Sequence, residues 1–118
     1  MRAAGAAFEQ RAGAELERAG LKLLARNYTT RHGELDLVMR DGDTVVFVEV
    51  RYRVSAGHGD AAASVTRGKR DKLIRTAQLW LAAHPRDAQR PCRFDVVSYD
   101  GPAADARMHW LRGAFEVE

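Results

Sequence analysis

Cysteine is almost missing from this chain. Cys92 stands alone, so no internal disulfide can form, which suits a reducing compartment such as the cytosol. Lysine is scarce too: of 19 basic residues only Lys22, Lys69 and Lys72 are lysine. No apolar run is long enough to span a bilayer, so no membrane partner is expected. Met1–Ala7 has no apolar core of a signal peptide, and the expected location is cytoplasmic. There is no internal repeat, low-complexity tail or linker, and 118 residues suit one domain, 1–118, with a real core. The net charge of +3 permits nucleic-acid binding without requiring it.

What is present centres on Val45–Arg53, an apolar β-branched run that reads as a strand. Alternation sends Val46, Val48 and Val50 one way and Phe47, Glu49, Arg51 and Arg53 the other. A carboxylate beside guanidiniums at the end of such a strand is costly to bury unless paired or bound to an ion. The preceding run, Gly33–Arg40, alternates as well: Leu35, Leu37 and Met39 oppose Glu34, Asp36 and Val38. Asp41-Gly42-Asp43 reads as a hairpin turn. With Arg40 paired to Asp43, Asp36 lies opposite Phe47 and Glu34 opposite Glu49, so that the acids share one face. Asp36 and Glu49 are then diagonal neighbours, roughly 7–8 Å apart, close enough to grip one hard cation such as Mg²⁺. The plain alternative is a solvated acidic face balanced by Arg40, Arg51 and Arg53.

Elsewhere the chain predicts a helix over 4–19, with a stripe of Phe8, Ala12, Leu16 and Ala19 and with Glu9 at its border. Leu21–Tyr28 reads as a short strand with a turn from Asn27 on. His32 precedes the acidic strand, where it either meets a phosphate or metal or is simply solvated. Val54–Ala61 reads as a loop beside the site, with His58 and Asp60 as candidate contacts. A second helix is predicted over 66–84, capped by Thr66, striped by Leu73, Ala77, Trp80, Leu81 and His84, and ended by Pro85. Arg67, Lys69, Arg70, Lys72 and Arg75 crowd its start against the helix dipole. That pattern fits either phosphate contact or a solvated charged turn. Cys92–Tyr99 reads as a strand in which Asp95 supports structure by pairing with Arg51, Arg53 or Arg93. Residues 107–112 suggest an edge strand on which Trp110 packs.

In order along the chain, Gly5-x-x-x-Glu9-x-x-Ala12, Arg26-Asn27-Tyr28, Gly33-Glu34-Leu35-Asp36-Leu37, Phe47-Val48-Glu49-Val50-Arg51, Val65-Thr66-x-x-Lys69-Arg70 and Arg93-Phe94-Asp95-Val96-Val97 resemble the bacterial YraN family over residues 5–99. That family is regarded as similar to Holliday-junction resolvases within the restriction-endonuclease-like PD-(D/E)xK nucleases. The resemblance implies an α/β restriction-endonuclease-like core, a central mixed β-sheet flanked by helices. It implies that Asp36 and Glu49 hold Mg²⁺ or Mn²⁺, with Glu9 the helical acid that approaches them. Arg51 stands where the superfamily usually has lysine; it can offset developing charge but cannot serve as a base near neutral pH. Lys69, Arg70, Arg53 and Arg67 are the expected nucleic-acid contacts, DNA the expected partner, and a homodimer the assembly that the resemblance suggests. Three functions follow: a metal-dependent endonuclease acting on DNA, with branched or repair-related DNA as candidate substrates; a non-catalytic nucleic-acid-binding module on the same fold; and a protein-interaction domain.

Overall fold

A computed structural model describes residues 3–53 and 65–115, with side chains from Ala6 onward. His58 and Asp60 lie outside the described residues. The elements run α1 (Ala3–Arg18), β1 (Lys22–Thr30), β2 (Gly33–Asp41), β3 (Thr44–Arg53), α2 (Arg67–Ala82), a single turn α3 (Pro85–Ala88), β4 (Cys92–Asp100) and β5 (Arg107–Phe115). The strands form one five-stranded sheet in the order β1-β2-β3-β4-β5, in which only β3 and β4 run parallel. The mixed α/β architecture inferred from sequence is present. The parallel pair needs a crossover, and α2 lies in it.

Each face of the sheet carries a core. Phe8, Ala12 and Leu16 of α1 pack on Leu37, Met39, Val46, Val48, Val97 and Tyr99. Leu73, Ala77 and Trp80 of α2 pack on Val38, Val45, Phe47, Phe94 and Val96. Both helices are therefore amphipathic by necessity: each has one row to bury. Ala19, placed on the α1 stripe by its spacing, is exposed, because the helix stops at Arg18. His84 lies beyond the end of α2. It stacks on Trp80 with ring centroids 4.0 Å apart and caps the short turn that Pro85 begins.

The β2–β3 hairpin corrects the expected register. Asp41 pairs with Thr44 across Gly42-Asp43, not Arg40 with Asp43. Gly42 takes a φ of +60° as the first turn residue, a conformation that glycine adopts without a Cβ penalty. The shift is two residues, so the side chains of the paired stretch, 37–41 with 44–48, keep their faces; Leu35, expected on the face of Leu37 and Met39, lies on the other one. Leu37 pairs with Val48 and Met39 with Val46. Extended by one residue, that register sets Asp36 opposite Glu49 instead of Phe47. A second correction concerns β1, which continues through Thr30 because Tyr28, Thr29 and Thr30 pair with Leu35, Glu34 and Gly33. Asn27 is accommodated at a φ of +50° rather than opening a turn.

At the far edge, β5 carries a bulge. Phe94 pairs with Phe115 but Val96 with Leu111, and Gly113 adopts a φ of +60° between them. Asp95 fastens this irregularity. Its Oδ1 accepts from the Gly113 N–H at 3.0 Å and from Arg93 Nε at 3.0 Å, and its Oδ2 from Trp110 Nε1 at 2.9 Å. The supporting role expected of Asp95 holds, with Arg93 as the basic partner.

Candidate acidic site and its basic groove

Alternation breaks in β2 at Asp36. Leu35 joins the core under α2, whereas Leu37 joins the core under α1. Regular alternation would have kept the two leucines together. The β2–β3 ladder stops at Leu37–Val48, and the next donor of β3, the Val50 N–H, bonds to Asp36 Oδ2 at 2.8 Å. The carboxylate thus takes over where the ladder ends, and the strands part around it.

Acidic groups converge in that opening. One carboxylate oxygen each from Glu9, Glu34 and Asp36 lies within 4.8 Å of the others. Glu9 reaches the site from α1 and is buried, as is Asp36; Glu34 is half-buried and accepts from the Thr29 hydroxyl at 3.1 Å. Glu49, the neighbour on β3, shares a hydrogen bond with Asp36. Burial, reinforced by the charge of Glu49 and that shared bond, pushes the Asp36 carboxyl up to about 7 against the opposing pull of the Val50 amide. A buried set of oxygen-only donors under mutual repulsion suits a hard divalent cation such as Mg²⁺ or Mn²⁺.

The residues singled out from sequence fall into distinct groups. Asp36 and Glu9 come together, and Glu49 lies beside Asp36. Arg51 points the same way as Glu49, with Nη1 3.8 Å from its Oε2. Arg53 is engaged elsewhere: its Nε meets Asp100 Oδ1 at 2.7 Å and its Nη2 meets Oδ2 at 3.1 Å, tying the ends of β3 and β4. The Arg53 bond holds the Asp100 carboxyl below its ordinary range. Arg70 donates from Nε to the Val65 carbonyl at 3.1 Å, with its guanidinium 5.4 Å from the centre of the Phe115 ring. Arg67 and Lys69 are exposed at the start of α2, where Thr66 caps the helix by accepting from the Lys69 amide.

Lys69 and Lys72, with Glu34 and Glu49, line a cleft of about 250 Å³. The cleft shares Gly33, Glu34 and Lys72 with a larger groove of about 820 Å³ between the β1–β2 turn and α2. Arg31, His32 and Arg75 line the outer part. Gly33 holds the turn close to α2: its φ is +150°, and a Cβ there would lie 3.4 Å from Thr76 Oγ1 and 3.7 Å from Lys72 Cβ. Gly33→Ala is expected to strain the turn through its positive φ, costing about 1 kcal/mol or more; a urea melt unchanged from wild type would contradict this. Glu34 and Arg31 were not among the residues picked from sequence. Glu34 was legible as a third acid on the Asp36 face, but nothing local shows that the turn bearing Arg31 leans on α2.

The sheet, its two covering helices and the acids gathered where β2 and β3 separate define an α/β protein with a candidate cation site beside a basic groove. The chain belongs to the family described as Uncharacterised protein family UPF0102, whose model matches residues 8–99, and this is the YraN relationship that the motifs indicated. A UPF0102 protein of Xanthomonas campestris pv. campestris is 57% identical over 114 residues, covering 97% of this chain and 92% of the relative. One from Xylella fastidiosa is 56% identical over 117 residues, covering 99% and 95%. One from Stutzerimonas stutzeri is 56% identical over 101 residues, covering 86% and 84%. Among the described residues no helix is long and apolar enough to cross a membrane.

Proposed function

We propose that this protein is a metal-dependent endonuclease that cleaves DNA phosphodiester bonds, with a restriction-endonuclease-like core. The observation that carries the proposal is the convergence of Glu9, Glu34 and Asp36, with Glu49 alongside, at the end of a basic groove. Glu9, Glu34 and Asp36 would hold Mg²⁺ or Mn²⁺, and Glu49 would complete the acidic set. The cation would supply Lewis-acid charge to the scissile phosphate. The Val50 amide orients Asp36, and the Thr29 hydroxyl orients Glu34. Arg51, anchored near Glu49, offsets charge that develops on the phosphate but takes no proton from the attacking water. Lys69 and Lys72 draw the phosphate backbone toward the acids.

Calorimetric titration of Mg²⁺ and of Mn²⁺ into wild type and Asp36→Ala tests the site without a substrate. Saturable heat is expected for wild type and at least tenfold weaker binding for the variant. Incubation with linear, flapped and four-way DNA should then give cuts that need the metal and vanish in Asp36→Ala and Glu49→Ala. A protein that binds neither metal and leaves every DNA intact refutes the proposal.

The Arg51–Glu49 contact favours a second reading, a nucleic-acid-binding module without catalysis on the same fold, because the guanidinium already meets part of the carboxylate charge. That reading expects salt-sensitive binding indifferent to metal and to Glu49→Ala, and metal-dependent turnover excludes it.

A further inference from the structure

The groove between the β1–β2 turn and α2 has a composition of its own. Arg31 and His32 come from the turn, and Lys72 and Arg75 project from successive turns of the helix, so that cations outnumber the two acids of the lining, Glu34 and Asp71. Among the described residues Arg31, Lys72 and Arg75 enter no ion pair, whereas Arg53, Arg90 and Arg93 are each tied to aspartates. The hydroxyl of Thr30 stands beside these cations, bonded to the His32 amide at 3.0 Å. Among the described residues, no aromatic side chain apart from the His32 imidazole lines the space. Proteins that hold single strands stack bases on aromatic rings, whereas contacts to a duplex backbone come from cations, hydroxyls and amides.

We infer that this groove binds the phosphate backbone of double-stranded nucleic acid without regard to sequence, through Arg31, Lys72 and Arg75. The inference deepens the endonuclease proposal and rests on the same nucleic-acid reading. The groove and the acidic cleft share Glu34 and Lys72, so a strand seated against Arg31 and Arg75 leads to Glu34 and Glu49, and Glu34 belongs to the cluster with Asp36 and Glu9. Phosphates beyond the cut are thus gripped by the turn and by α2, and the acids face the phosphate at the inner end. The expected contacts shift accordingly, from Arg53 and Arg70, which are engaged with Asp100 and the Val65 carbonyl, to these three residues.

Fluorescence anisotropy of a labelled mixed-sequence DNA duplex, in EDTA to prevent cleavage, tests the inference with Arg31→Gln, Lys72→Gln and Arg75→Gln. Arg86→Gln, on exposed α3 away from the groove, is the control. Each phosphate contact contributes a slope of about 0.9 in log K against log salt. Losing one is expected to weaken binding about 8-fold at ~0.1 M salt and to lower the slope by about 0.9. The control should bind as wild type does. Tighter binding of a single strand, duplex affinity untouched by all three groove changes, or no duplex binding at low salt would overturn the inference. A duplex held through the groove but never cut, with or without metal, would leave it standing and defeat the endonuclease alone. Metal-dependent cutting with unchanged duplex affinity in the groove variants would defeat the inference alone.

Discussion

Asp36→Asn is expected to make the metal-free protein more stable at pH 7 by about 1–3 kcal/mol. Buried beside Glu49, the Asp36 carboxyl is raised from 3.8 to about 7. A raised carboxyl binds its proton more tightly in the folded state than in the unfolded chain. Stability from this group is therefore full below about pH 4, falls as pH rises from about 4 to 7, and stays low above 7. Asparagine has no proton to lose and also relieves Glu49 of a charged neighbour. Urea melts between pH 4 and 8 in EDTA should show a falling component in wild type that is missing from Asp36→Asn. Saturating Mg²⁺ should reverse the order, because only wild type gains the binding free energy of the ion. Because the ion must displace a proton below pH 7, its affinity in wild type should rise as pH climbs toward about 7 and level off above it. Parallel pH profiles for the two proteins would mean that the carboxyl titrates as it does in water and that the acids are not crowded.

The second large effect lies on the opposite side of the sheet from β1. Asp95→Ala should destabilise the fold by about 2–4 kcal/mol at neutral pH. Its side chain is fully buried and ties Arg93, Trp110 and Gly113 to one point. Removing it leaves the Trp110 and Gly113 N–H groups unmatched and strands the Arg93 guanidinium near Asp41 alone. The β5 bulge then loses the bond that substitutes for its missing ladder contacts. Asp43→Ala, which breaks an ion pair to Arg90 at a side chain 91% exposed, should leave the urea midpoint unchanged. Equal midpoints for the two variants would show that the Asp95 network adds nothing beyond a surface pair. Trp110 emission offers an independent readout, since its indole N–H is one of the lost bonds.

Much of the fold was legible because its signals are short-range. Val45–Arg53 and Cys92–Tyr99 read as strands from their β-branched and aromatic residues, and both lie inside the sheet. The Phe8, Ala12 and Leu16 row and the Leu73, Ala77 and Trp80 row each mark the buried side of a helix. The errors fell where two segments had to negotiate. The hairpin register depends on which residue takes Gly42's positive φ, and a shift by two preserves every face, so alternation could not detect it. The extension of β1 past Asn27 depends on pairing with Glu34 and Gly33, which outweighs the local preference of an Asn for a turn.

The candidate site divides the same way. Glu34, Asp36 and Glu49 could be read as acids on one face of two neighbouring strands, and the family motifs pointed to Glu9. The sequence by itself determined the order of elements, the two amphipathic helices and the inventory of acids and cations, because periodicity and composition are properties of a single segment. Only the tertiary structure decided that β2 kinks at Asp36, that Glu9 descends from α1 into the gap, that Arg53 and Arg70 are occupied, and that Arg31 faces Lys72 and Arg75 across a groove. These are outcomes of packing two helices against opposite faces of a sheet, and the relative placement of segments distant in sequence is set by how their surfaces fit, which no local pattern encodes.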